Sequence, residues 1–196
     1  ETAASNLETQ KQDLEKQQEQ AAADADAAAK RVAEIDAANR AAYDSGQDTG
    51  VSSDSIGADS LGEGYIGHPI SGPLSVTSPF GYRVHPVTGV GTGHQGTDFA
   101  AADGTPQYAA ASGVATYWDS ASCGIGIDIN AGYIDGHSYV ITLCHLSGRA
   151  IADGQQVNRG DLVGYTGSTG YATGPHVHFQ VAQDGVYLSL IHISEP

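Results

Sequence analysis

The stretch His176-Val177-His178-Phe179-Gln180-Val181 alternates polar and apolar residues without a break. A period of two belongs to a β-strand, which sends successive side chains to opposite faces. His176, His178 and Gln180 therefore share one face, and Val177, Phe179 and Val181 share the other. The apolar face can enter a core. Two histidines two residues apart on the polar face have no ordinary structural duty, so that face reads as a site. The strand thus points to a β domain with chemistry on one surface.

The flanking sequence supports this. Asp184-Gly185 is a favoured two-residue hairpin turn. It folds Val186-Tyr187 back onto the strand. Further strand candidates are Gln107–Ala110, Val114–Trp118, Gly126–Asn130, Tyr139–Leu146 and Asp161–Tyr165, with the last strand running His176–Gln183. From Tyr65 onward glycine is frequent, β-branched residues come in short runs, and no amphipathic helix is found. The expected fold class is all-β over residues 65–187.

The N-terminal third has a different texture. Residues 3–44 are rich in Ala, Gln, Glu, Asp and Lys and lack Gly and Pro, which is strong helix composition. Leu7, Leu14, Ala21, Ala28, Ile35 and Ala42 recur every seven residues. A coiled coil needs a second apolar position per heptad, and here it is mostly polar: Gln10, Gln17, Asp24, Arg31. The weak seam reads as a helical stalk or a loosely paired, coiled-coil-like helix over 1–44, with room for a helical protein partner. Ser45 to Gly64 is rich in Gly, Ser and Asp and reads as a flexible linker.

Charge and the chain ends narrow the function. The formal net charge is −15, which argues against nucleic acid, since that partner demands a basic face. No apolar run reaches the roughly 18 residues a membrane span needs. With no Met, the chain reads as a fragment, so the lack of a signal peptide is uninformative. Leu188 to Pro196 resembles the conceptual translation of a transposon end used to prepare sequencing libraries. That expectation removes 188–196, and with it His192, from any site argument.

Metal binding comes next. His176 and His178 lie about 6.6 Å apart along a strand. His94 and Asp98, in His94-Gln95-Gly96-Thr97-Asp98, would be about 13 Å apart if fully extended. Gly93 and Gly96 make the necessary bend easy. Two imidazoles and a carboxylate leave a zinc ion an open fourth position, the pattern of catalytic sites. Residues 65–187 contain no Glu and no Lys. That excludes a His-Glu-x-x-His helix with a Glu base, and it excludes a lysine base. Proton transfer falls to His, or to Asp. His145 ends the apolar run Tyr139-Val140-Ile141-Thr142-Leu143-Cys144-His145 and is a candidate. Cys144 beside it invites a cysteine nucleophile, but strand alternation would turn the two side chains opposite ways. His68 and His137 lie in Gly-rich loops and read as solvated. Thr166-Gly167-Ser168-Thr169-Gly170 lacks the Lys of a phosphate loop and reads as the approach to the His176 strand.

The β domain resembles the lysostaphin-type zinc endopeptidases of bacterial cell walls. The matching segments are Ser78-Pro79-Phe80-Gly81-Tyr82-Arg83-Val84-His85-Pro86-Val87-Thr88-Gly89, Gly93 to Asp98, Cys144-His145-Leu146, Gly154 to Gly170, and Thr173-Gly174-Pro175-His176-Val177-His178-Phe179. The resemblance covers residues 66–187 and leaves out the helix and linker. It implies an antiparallel β-sheet with an open groove and a peptide substrate from peptidoglycan stems or cross-bridges. It implies His94, Asp98 and His178 as zinc ligands, with His145 and His176 as catalytic, proton-handling histidines. His85 belongs to a turn that is not a ligand. All five site residues are present, which argues against a non-catalytic zinc-stabilised module that binds or activates another wall hydrolase. Leu143 stands where an aromatic residue is frequent, Cys144 where a small one is, and Gln180 where Glu is. The implied setting is extracytoplasmic, where disulfides persist, and related wall peptidases with a Cys at the Cys144 position often carry its partner. Cys123 and Cys144, the only two cysteines, are therefore expected to pair.

Overall fold

The computed structural model describes residues 2–46, 66–84 and 91–190. Most of the expected linker, the turn containing His85, and His192 lie outside the described residues. One helix, α1 (Thr2–Asp44), precedes the strands. These are β1 (Val76–Ser78), β2 (Gly81–Val84), β3 (Gly91–His94), β4 (Thr97–Ala100), β5 (Pro106–Tyr108), β6 (Gly113–Ser120), β7 (Gly124–Ile134), β8 (His137–Arg149), β9 (Gln155–Val157), β10 (Leu162–Thr166), β11 (His176–Gln183) and β12 (Val186–Leu188). Ten strands form one antiparallel sheet in the order β1-β4-β11-β8-β7-β6-β9, with β12 on β11 and β10 bridging β8 and β5. β2 and β3 make a separate ribbon.

Every expected strand is present, and the long ones extend further than their apolar runs. Both long hairpins close with an Asp-Gly pair at positive φ: Asp135 (51°) with Gly136 (83°), and Asp184 (50°) with Gly185 (78°). That is the two-residue turn whose twist matches paired strands. It fixes the registers Ile134↔His137 and Gln183↔Val186. His137 thus opens a strand rather than sitting in a loop. It is about half exposed and lies 2.6 Å from Asp184. His68 is only partly exposed.

Register separates the two faces of the sheet. His178 pairs with Cys144 and Gln180 with Thr142, and Thr142 in turn pairs with Asp128. Directly opposed residues share a face, so this row is polar from β11 to β7. The other face carries Val177, Phe179, Val181, Leu143, Ile141, Ile127 and Ile129, all buried in the main core. Leu188 pairs with Val181 at the end of β12, and Leu190 packs against the same core.

Helix α1 is not a free stalk. Ala28, Val32 and Asn39 are buried, one stripe of an amphipathic helix, and Val32 packs with Val140 and Ala182 on the polar face. Asp24 accepts the backbone N–H of Ser122 at 2.7 Å. Arg31 Nε donates to Asp128 at 2.5 Å, and its guanidinium lies 3.6 Å from the centre of the Trp118 ring. Asn39 bonds reciprocally with Asn130 and also reaches Ser138. Tyr43 stacks on Tyr133 with ring centres 4.5 Å apart. The polar second positions of the weak heptad, Asp24 and Arg31, are thereby explained. The partner of this helix is the polar face of a sheet.

Candidate active site

The site is built where β4, β11 and β8 lie side by side. β11 pairs with β4 in the register His178↔Asp98 and His176↔Ala100, and with β8 in the register His178↔Cys144. His94 comes from the end of β3, and the short turn before β4 brings it back over Asp98. The expected bend is therefore present. Gly96 supplies room more than flexibility, since a Cβ there would stand 2.8 Å from the His178 ring.

Three donor atoms converge. His94 Nε2 lies 3.1 Å from Asp98 Oδ1 and 3.2 Å from His178 Nδ1. His178 Nδ1 lies 2.8 Å from the same Oδ1. His94 and Asp98 are buried and His178 nearly so. Ligands on a tetrahedral zinc at about 2.0–2.1 Å would stand about 3.3 Å apart, so this triangle needs little adjustment to hold an ion. The proton positions agree. His94 Nδ1 faces the Pro79 carbonyl at 2.8 Å, an acceptor only, so the proton sits on Nδ1. Its Nε2 lone pair then points at the carboxylate and at His178. One proton on His178 Nδ1, or a cation, must occupy the centre of the triangle.

His145 and His176 complete the group. His145 Nδ1 donates to the Thr169 carbonyl at 2.8 Å, and His176 Nδ1 to the Gly174 carbonyl at 2.9 Å. Neither Nε2 has a hydrogen-bond partner among the described residues, so each can serve as a base. The His145 ring centre lies 4.7 Å from that of His176 and 5.6 Å from that of His178. His176 Nε2 stands 3.7 Å from Asp98 Oδ1. All five expected site residues thus meet in one place.

Strand alternation does not place His145. It would put Cys144 and His145 on opposite faces, yet both line the cleft with His178. The register jumps from Ile125↔Leu146 to Ile127↔Leu143, a bulge in β8, and His145 takes φ = 61° within it. A left-handed non-Gly residue costs about 1–2 kcal/mol, and bulges re-aim side chains beside active sites. The bulge is held by His145 N–H donating to the Cys123 carbonyl at 2.8 Å and by the Cys123–Cys144 disulfide. That disulfide, not facing, removes Cys144 as a nucleophile. The carbonyls of Pro79, Thr169 and Gly174 are the contributors that side-chain patterns miss.

Electrostatics follow from burial. Burial alone would raise Asp98, but hydrogen bonds and charge from His178 and His94 outweigh it and hold the carboxyl well below its ordinary range. Burial pulls His178 down, against the pull of Asp98. Burial also pulls His145 down to about 4, only partly offset by the Thr169 carbonyl. Near neutral pH the site therefore holds one carboxylate, with His145 and His178 kept neutral by burial, a donor set suited to a divalent metal.

A groove sheet that gathers two imidazoles, a carboxylate and two further histidines defines a metal-site protein of hydrolytic type. Residues 92–190 match Peptidase family M23, and the chain belongs to that family. Peptidoglycan DD-endopeptidase ShyA of Vibrio cholerae serotype O1 is 35% identical over 129 residues, covering 65% of this chain and 29% of that protein. A zinc containing peptidase from Vibrio cholerae superposes with a TM-score of 0.59 at 31% identity, covering 65% of this chain and 39% of the other. The catalytic domain of lysostaphin from Staphylococcus simulans gives a TM-score of 0.53 at 28% identity, covering 61% of this chain and 91% of that domain. The match spans about a quarter of the length of the curated relatives, from 24% to 29%.

Proposed function

We propose that this chain is a zinc endopeptidase that hydrolyses peptide bonds in peptidoglycan stems or cross-bridges, outside the cytoplasm. The observation that carries the reading is the convergence of His94 Nε2, Asp98 Oδ1 and His178 Nδ1, beside two histidines whose Nδ1 atoms are held by backbone carbonyls and whose Nε2 atoms have no hydrogen-bond partner among the described residues. His94, Asp98 and His178 would hold the zinc. Bound there, zinc would supply Lewis acidity, making water acidic enough to attack near neutral pH and polarising the scissile carbonyl. The chain's own residues handle the protons. The Thr169 and Gly174 carbonyls fix the protonated nitrogens of His145 and His176, so each Nε2 can take a proton from water. The imidazole that has taken this proton then carries it on Nε2 and can donate it to the leaving amine, and the other, protonated from solvent, can donate to the developing oxyanion. Asp98 stays ionised throughout, because its neighbours hold its carboxyl so low.

The proposed organisation is a helical segment 1–44, a linker 45–64 and the peptidase domain 65–187, with 188–196 as foreign sequence whose first residue, Leu188, pairs with Val181 of β11. A helical protein partner would meet the N-terminal half of α1, where Leu7 is 67% exposed. No helix among the described residues is long and apolar enough to cross a membrane.

The test is release of new amino termini from purified peptidoglycan by zinc-loaded protein. His145→Ala and His176→Ala should each keep their zinc and lose about 10²-fold or more in turnover, the usual worth of a positioned acid or base. A zinc-stabilised binding module would show no turnover in the parent. Absence of cleavage across several cross-link chemistries, with α1 intact and with it loosened by Asn39→Ala, contradicts the proposal.

A further inference from the structure

Helix α1 lies on the polar face that carries the metal-site residues. Ala21, Asp24 and Ala28 wall a cleft of about 170 Å³ whose other side includes Cys144, His145 and His178. Further along the helix, Arg31 meets Asp128. That carboxylate is fully buried. Its partners are the Thr142 hydroxyl, which donates to it at 2.6 Å, and Arg31 Nε at 2.5 Å. Trp118 covers the guanidinium from one side. The Tyr187 hydroxyl feels the same surroundings, since burial and then the Asp128 charge push it up to about 12.

A buried carboxylate demands a cation, but Arg31 is an imperfect one. Its Nη2 is buried without a hydrogen-bond partner among the described residues, and so is Nε1 of Trp118. The paired fork that makes Arg–carboxylate contacts strong is not formed. The apolar seam beneath is small: Val32 on Val140 and Ala182, with Ile35 and Tyr187 beside them. The helix occupies this face more than it completes a core.

Position gives the pocket its use. Asp128 lies two strands and two residues from His178, about 12 Å away by strand spacing and rise. Three to four residues of extended peptide span that distance. Gln180 and Thr142 lie in the row between. We infer that Asp128, Thr142 and Trp118 form a cation subsite of the substrate groove, filled in this state by Arg31, which admits an amino or guanidinium group of a peptide side chain when α1 moves away. The inference deepens the peptidase reading and rests on it for the identity of the ligand.

Trp118 is the single tryptophan of the chain, so its fluorescence reads the pocket without any turnover. In the 196-residue chain carrying Arg31→Ala, Trp118 emission should move to the red and acrylamide quenching should rise at least twofold over the parent. Acetyl-lysine amide should then change that emission saturably in Arg31→Ala. Its Nε-acetylated form should bind at least tenfold more weakly, and the parent should respond to neither. Adding Asp128→Asn to Arg31→Ala should abolish the response. If circular dichroism shows that this double variant is unfolded, Thr142→Val in the Arg31→Ala background should weaken the free amine at least threefold. Unchanged Trp118 emission and quenching in Arg31→Ala overturns the plug. Equal binding of the two amides, or binding indifferent to Asp128→Asn and Thr142→Val, overturns the subsite. The release of amino termini separately tests the peptidase reading, and there Arg31→Ala should cleave at least threefold faster than the parent.

Discussion

The two faces of β11 differ in kind although they alternate residue by residue. Val177, Phe179 and Val181 are buried in the main core. His176 and His178, one step away in each case, meet a carboxylate and other imidazoles. The apolar face fixes where the strand lies, and that placement aims the polar face. Stability and chemistry are thus carried by neighbouring side chains, and substitutions can part them.

The largest effect is expected at the metal centre. His178→Ala removes one of three converging donors, so zinc content should fall from about one per chain, the three-ligand expectation, to near none. Turnover should fall to background. Phe179→Ala, the next residue, should instead cost about 3–5 kcal/mol of stability and keep its zinc in the folded protein. Elemental analysis beside denaturant unfolding separates the two. Zinc lost from folded Phe179→Ala, or kept in His178→Ala, breaks the division between the faces.

The disulfide should have a somewhat smaller effect. Cys123 and Cys144 enclose a loop with a sequence separation of 21, which suggests about 3 kcal/mol of stabilisation. Replacing both with Ser should lower the unfolding midpoint accordingly. It should also lower turnover, because the bulge that aims His145 loses its clamp. A stability loss with turnover intact would show that the His145 N–H to Cys123 carbonyl bond holds the bulge alone.

The smallest effect is a matter of pH. Burial holds His145 at about 4 in the folded chain, below the ordinary value of about 6.5. The unfolded chain therefore takes up this proton first as pH falls. The contribution is fully present above pH 6.5 and is lost progressively toward pH 4, amounting to about 2 kcal/mol at pH 5. The drop in stability of metal-free protein between pH 7 and pH 5 should be smaller in His145→Gln than in the parent. An equal drop in both contradicts the assigned burial effect.

The same contrast explains what was legible in the sequence. The alternation of His176 to Val181 placed two histidines on one face, and the Asp184-Gly185 turn placed the next strand. The direction of His145 was not legible from alternation, because a bulge with φ = 61° reverses it and no side-chain pattern announces that geometry. Its position at the end of an apolar strand made His145 a candidate, and the family resemblance assigned it to the site. The carbonyls of Pro79, Thr169 and Gly174 were invisible, since every residue has one. The docking of α1 was hidden for another reason. A helix that binds a polar sheet face needs Asp24, Arg31 and Asn39 where a coiled coil would need apolar residues.

The central claim is that the polar face of β11 belongs to a single metal site. Anomalous diffraction at the zinc edge from zinc-loaded crystals tests it most directly. One peak should lie within about 2.0–2.2 Å of His94 Nε2, Asp98 Oδ1 and His178 Nδ1. A zinc peak elsewhere, or none at these three atoms in fully loaded protein, would contradict the account.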